Sequence, residues 1–153
     1  MPDTASISIL ESLVQALEQM AFVAVAPVEG PPPAPASAVI VRIEFHGAER
    51  GNIELLADES LGAVVAANIL AAGEDDPQAQ AQAQDALCEL LNVTCGDYLR
   101  QLELAGAGTL HMSIPGARRI AAEESADLLT NGGFDILDAE GRTIAIRLTR
   151  ESQ

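Results

Sequence analysis

Hydrophobic positions along the chain change rhythm several times, and each change marks an element. Ile9, Leu10, Leu13, Val14, Leu17, Met20 and Ala21 keep the three- and four-residue spacing of a helix with one apolar face. Ser8-Ile-Leu-Glu11 has the form of a capping box, with Ser8 accepting from the orphan amides and Glu11 reaching back. Over residues 22–28 the period shortens, Val23 and Val25 alternating with alanine, which predicts a short strand. The prolines within residues 30–37 lack amide donors and disfavour helix, so this stretch reads as an extended spacer, not a domain boundary.

Branched runs at 39–45 and 52–56 flank Gly47-Ala-Glu-Arg-Gly51, the pattern of a β-hairpin. Asp58 or Ser60 caps a second helix reaching about Ala72 and ended by Gly73, with Gly62 a weak point inside it. Asp76-Pro77 opens a third helix, because proline's missing amide is an orphan at that position anyway. Its first stretch is the exposed Gln-Ala alternation from Gln78, and it continues past Tyr98 to Leu104, stopping at Ala105-Gly-Ala-Gly108. Short strand patterns follow at 109–114, 119–121, 134–138 and 143–149, the last two joined by a turn at Ala139-Glu-Gly-Arg142. This order predicts a single α+β domain over residues 1–153, a mostly antiparallel β-sheet with helices packed on its faces.

The third helix carries two unlike faces. At about 100° per residue, Leu87, Leu90, Leu91, Thr94, Tyr98 and Leu102 gather on one side, facing the core. Asp85, Glu89, Asn92 and Gly96 fall within roughly 60° of arc on the other. Two carboxylates, an amide and a residue without a side chain form an unusual stripe for a merely solvated face.

Composition narrows what that stripe can do. A chain of 153 residues with 48% hydrophobic content forms a packed globule, whose core must be aliphatic because it has three Phe, one Tyr and no Trp. The net charge of −15, from 23 acidic against 8 basic residues, repels phosphate backbones and anionic lipid, so neither nucleic acid nor membrane is an expected partner. Cys88 and Cys95 lie about 10 Å apart along one helix, too far for a disulfide. Without a signal peptide, and with residues 20–28 too short an apolar run to span a bilayer, the expected compartment is the cytoplasm. His46 and His111 sit far apart in sequence, each on a predicted strand and neither with metal-ligand spacing, so no metal site is expected. No phosphate-binding glycine loop and no Gly-x-Ser-x-Gly elbow is present.

Glu-x-x-Asn alone is common on helices. The longer arrangement is specific: Asp85, three residues, Glu89, two residues, Asn92, twenty-two residues, Pro115. It resembles the signature of the CheC, CheX and FliY chemotaxis phosphatases, and Gly96, four residues after the Asn, fits as well. The amphipathic first helix, the hairpin leading into a short helix and the closing run Gly141-Arg-Thr-Ile-Ala-Ile-Arg-Leu148 are similar to the CheX type. CheC-type members carry a second Glu-x-x-Asn on the first helix, whereas here Glu11 is followed by Val14 and Glu18 by Ala21, leaving one centre.

The resemblance implies hydrolysis of the aspartyl-phosphate on a CheY-like response regulator, with Glu89 and Asn92 catalytic and Asp85 and Gly96 contacting the partner. An amide takes up no proton near neutrality, so Asn92 is no general base; it can hold a water in line with phosphorus. Glu89 would pair with a lysine beside the regulator's phosphoryl group. The divalent cation, Mg²⁺, would belong to the regulator, so no cofactor of the chain's own is expected. Pro115 is expected to end a strand. A homodimer is expected, as in CheX-like proteins, from a sheet edge left open by the last strands. The alternative reading is a non-catalytic CheC-like module that binds a receiver domain or a flagellar switch component.

Overall fold

A computed structural model describes residues 8–28, 30, 35–73 and 75–151. Helix α1 (Ile9–Ala21) starts where Ser8 Oγ accepts from the Glu11 amide at 3.3 Å, half of the expected capping box. It is followed by the three-residue strand β1 (Val25–Pro27). The proline spacer falls partly outside the described residues, which omit 31–34. The hairpin is longer than its branched runs, β2 (Ala38–Gly47) pairing antiparallel with β3 (Gly51–Asp58). Asp58 then caps α2 (Glu59–Leu70), its carboxylate accepting from the Ser60 amide at 2.9 Å.

The third predicted helix divides. Asp76 caps the short α3 (Pro77–Ala81), and the chain leaves helical geometry at Gln82 before α4 (Ala83–Leu104). Beyond α4 come β4 (Leu110–Met112), β5 (Gly116–Ile120), β6 (Asp135–Ala139) and β7 (Arg142–Arg150). A helix that the pattern did not predict, α5 (Ala122–Asn131), stands between β5 and β6.

All strand pairings are antiparallel, in one seven-stranded sheet of order β1-β6-β7-β3-β2-β4, with β5 also on β2. The expectation that the last strands leave an open edge is corrected. β7 lies between β6 and β3, and Thr143, Ile144, Ala145 and Ile146 are consecutively buried, as a strand covered on both faces requires.

The two faces of the sheet have separate cores. One packs Val39, Val41, Ile43 and Phe45 of β2 with Leu13 and Leu17 of α1, Leu61 and Val65 of α2 and Leu87, Leu90 and Leu91 of α4. The other joins Ile40, Leu56, Ile120, Phe134 and Ala145 to Leu129 of α5. The fold is therefore α+β with helices on both faces.

Gly62 acquires a reason in this packing. A Cβ there would stand 2.5 Å from the Ala83 carbonyl oxygen and 3.0 Å from Leu87 Cγ, so the glycine lets α2 lie against the start of α4. Gly62→Ala should lower stability by about 1–3 kcal/mol, read as a lower urea midpoint, although alanine is the better helix former.

Candidate functional site

The inner face of α4 buries the residues its period assigned to it: Leu87, Leu90, Leu91, Thr94, Tyr98 and Leu102 are all inaccessible to solvent. Thr94 Oγ1 donates to the Leu90 carbonyl at 2.8 Å, and the Tyr98 hydroxyl accepts from Arg150 of β7 at 2.7 Å. With that face fixed, the opposite one must turn outward. Asp85 and Glu89 are exposed, and Asn92 and Gly96 are half-buried. Neither the Glu89 nor the Asn92 side chain has a hydrogen bond or ion pair among the described residues.

Facing this stripe is an irregularity in the sheet. Along one side of β2, β4 pairs as Phe45↔Met112 and β5 as Arg42↔Gly116. Ile43 and Glu44 therefore stand opposite three residues, Ser113, Ile114 and Pro115, which makes a β-bulge. Ser113 closes it: its amide donates to the Glu44 carbonyl at 2.8 Å, while its Oγ accepts from the Glu44 amide at 3.0 Å. Pro115 has no amide to offer β2 and directly precedes β5. It starts one strand rather than ending another, since β4 stops at Met112. The extra residue turns Ile114 outward, 90% exposed.

Helix stripe and bulge are the two sides of an open groove of about 430 Å³, lined by Asp85, Cys88, Glu89 and Asn92 and by Met112, Ser113, Ile114 and Pro115. The structure thus brings together Asp85, Glu89, Asn92 and Pro115, residues spread over two elements. Gly96 continues the stripe without lining the groove. Met112, Ser113 and Ile114 were not singled out by the sequence. Only the distant proline pointed toward them, because a bulge depends on which strand lies alongside.

Cys88 shares the groove, but burial first and the Asp85 charge second push its thiol up. Cys95 faces the core, where burial pushes it up to about 12. Both thiols stay protonated near neutrality and are poor nucleophiles. The register places His46 opposite His111, ring centroids 5.4 Å apart, a proximity invisible in sequence. Among the described residues no three His, Cys, Asp or Glu side chains are placed to share a metal ion. Among them, too, no helix is long and apolar enough to cross a membrane.

A family model described as chemotaxis phosphatase CheX matches residues 39–132. The chain belongs to the CheX family. The matched span runs from β2 through α5 and so includes the whole stripe and the bulge. The fold is similar to chemotaxis protein CheX from Vibrio vulnificus, with a TM-score of 0.66 at 19% identity over 99% of this chain and 100% of that one. It is similar also to a chain of the CheX–CheY–BeF3–Mg²⁺ complex from Borrelia burgdorferi, with a TM-score of 0.64 at 19% identity over 98% and 99%. FliY from Thermotoga maritima gives 0.60 at 14% identity over 94% and 85%. At such identities the likeness is one of fold. No curated protein sequence matches the chain.

Within this CheX-type helix, Gly96 has no packing role. A Cβ there would meet only Met112 Cε, at 4.0 Å, and the backbone angle is not one that needs glycine. Gly96→Ala should therefore raise stability by about 0.5–1 kcal/mol, read as a higher urea midpoint. A substitution that strengthens the helix while weakening partner binding would locate the reason for glycine outside the fold. With native protein at pH 8, iodoacetamide should leave Cys95 unmodified until denaturant is added, as followed by mass spectrometry.

Proposed function

We propose that this CheX-family protein hydrolyses the aspartyl-phosphate of a CheY-like response regulator in the cytoplasm, as part of chemotaxis or a related two-component pathway. One observation carries the reading. Glu89 and Asn92, one helical turn apart, open into the groove with no side-chain partner among the described residues. A buried and internally bonded pair would have been structural; an unsatisfied pair on a rigid helix is available to another molecule.

Asn92 offers an amide that donates and accepts but does not titrate, suited to holding the attacking water in line with phosphorus. Positioning of this kind supplies most of the rate in phosphoryl transfer. Glu89 pairs with a lysine beside the phosphoryl group and fixes the approach of α4. Asp85 extends the contact by one turn. A divalent cation would supply neutralising charge at the phosphoryl oxygens. We assign the Mg²⁺ to the regulator. The complex of a similarly folded CheX chain with CheY, BeF3 and Mg²⁺ supports the choice of partner.

We also propose a homodimer. The outer edge of β5 has no strand partner among the described residues, and light scattering should give about twice the 15.9 kDa chain mass.

The test is loss of phosphate from a phosphorylated CheY-like regulator in Mg²⁺, comparing wild type with Asn92→Ala and Glu89→Ala. Wild type should accelerate it, Asn92→Ala should lower kcat by about 10²-fold or more, and Glu89→Ala should lower kcat/KM by a similar factor. Saturable binding that depends on Glu89, without acceleration, would make the chain a receiver-binding module instead.

A further inference from the structure

The chain has no lysine, and its eight basic residues are all arginine. Five of them, Arg42, Arg118, Arg119, Arg147 and Arg150, make ion pairs within the fold, and Arg142 donates to Ser60 Oγ. Arg50, in the β2–β3 turn, and Arg100 are the two whose guanidinium groups have no partner among the described residues. Arg100 is exposed on α4, one turn beyond Gly96. At about 100° per residue it lies roughly 20° around the helix from Glu89, in line with Asp85, Glu89, Asn92 and Gly96.

Its isolation is built into the helix. The positions that could reach it along α4 are Gly96, Asp97, Glu103 and Leu104. Asp97 Oδ2 already accepts from Ser12 of α1 at 2.9 Å and from Gln101 at 2.7 Å. Glu103 Oε2 accepts from the Leu110 amide at 2.8 Å. Both nearby carboxylates already accept hydrogen bonds within the fold, Gly96 has no side chain, and Leu104 is apolar. A helical side chain leans toward the N-terminus, so Arg100 covers the turn that Gly96 leaves bare. Met112, whose Cε lies 4.0 Å from where a Gly96 Cβ would stand, is exposed beside that turn.

We propose that Arg100 is the docking cation of this protein: it forms an ion pair with a carboxylate on the regulator, about 12 Å along α4 from the phosphoryl group held at Asn92. The proposal rests on the phosphatase reading and adds to it the means of recognition. A protein of net charge −15 must approach a site that binds Mg²⁺ through carboxylates, and these like charges repel. Long-range repulsion is screened beyond about 8 Å in physiological salt, so the interaction at contact decides whether the complex forms. An uncommitted guanidinium on the contact line supplies the complementary charge, and its planar fork suits a carboxylate. Arg100 belongs to docking and not to the chemical step.

The experiment measures kcat and KM for Arg100→Ala, Arg100→Glu and Arg100→Lys on the phosphorylated regulator at low and high salt, beside wild type. Arg100→Ala should raise KM by about 5–10-fold and Arg100→Glu by about 50-fold, with kcat within about 2-fold of wild type. Arg100→Lys should restore part of the loss, and the KM ratio of Arg100→Ala to wild type should shrink as salt rises. Unchanged melting temperatures exclude a folding effect. If wild type is active but KM ignores the charge at position 100, or the variants lose kcat alone, the docking role is overturned and the phosphatase reading stands. If wild type neither hydrolyses nor binds any regulator, both fall.

Discussion

Burial of one face of α4 is the constraint on which the site depends. Leu87, Leu90, Leu91, Tyr98 and Leu102 are locked between the sheet and the two neighbouring helices α1 and α2. Each such side chain contributes about 1.5–3 kcal/mol by leaving water. The helix cannot roll without exposing several of them together, so its outward residues are held at fixed angles. Among the described residues the side chains of Glu89 and Asn92 make no bond that holds the stripe in place, because the opposite face does the holding.

The other side of the groove is secured differently. Ser113 occupies both backbone groups of Glu44, so the bulge is tied to β2 and not to α4. One side of the groove thus belongs to a packed helix and the other to a sheet edge. The one-residue excess also sets which faces the flanking residues take. Phe45↔Met112 and Val41↔Ala117 both look toward the helices, whereas on a regular strand Met112 and Ala117, five residues apart, would face opposite sides.

Periodicity made a large part of this legible. The inner and outer faces of α4, the hairpin and the first helix are written in residue spacing, because burial on one side imposes a period. The position of β7 was not read: chain order suggested an open edge, whereas the run Thr143-Ile-Ala-Ile146 is buried between β6 and β3. What stayed hidden depends on pairing or on weak local signals. The bulge requires knowing that residues 110–120 lie along β2. The facing of His46 and His111 follows from the same register. α5 begins at Ala121 with no side-chain cap and sends only Leu128 and Leu129 into its core, too little for a period to show. The split at Gln82 leaves the Gln-Ala composition unchanged on either side, so nothing in it marks the break.

The bulge has a consequence for self-association. A strand arriving at the exposed edge finds β5 in one frame and β4 in another, offset by a residue. Pairing in step with the five residues of β5 throws it out of step with β4, so a long β-addition across both is geometrically frustrated. The device that shapes the groove therefore also protects an acidic protein's open sheet edge from generic aggregation, while leaving room for one short partner strand.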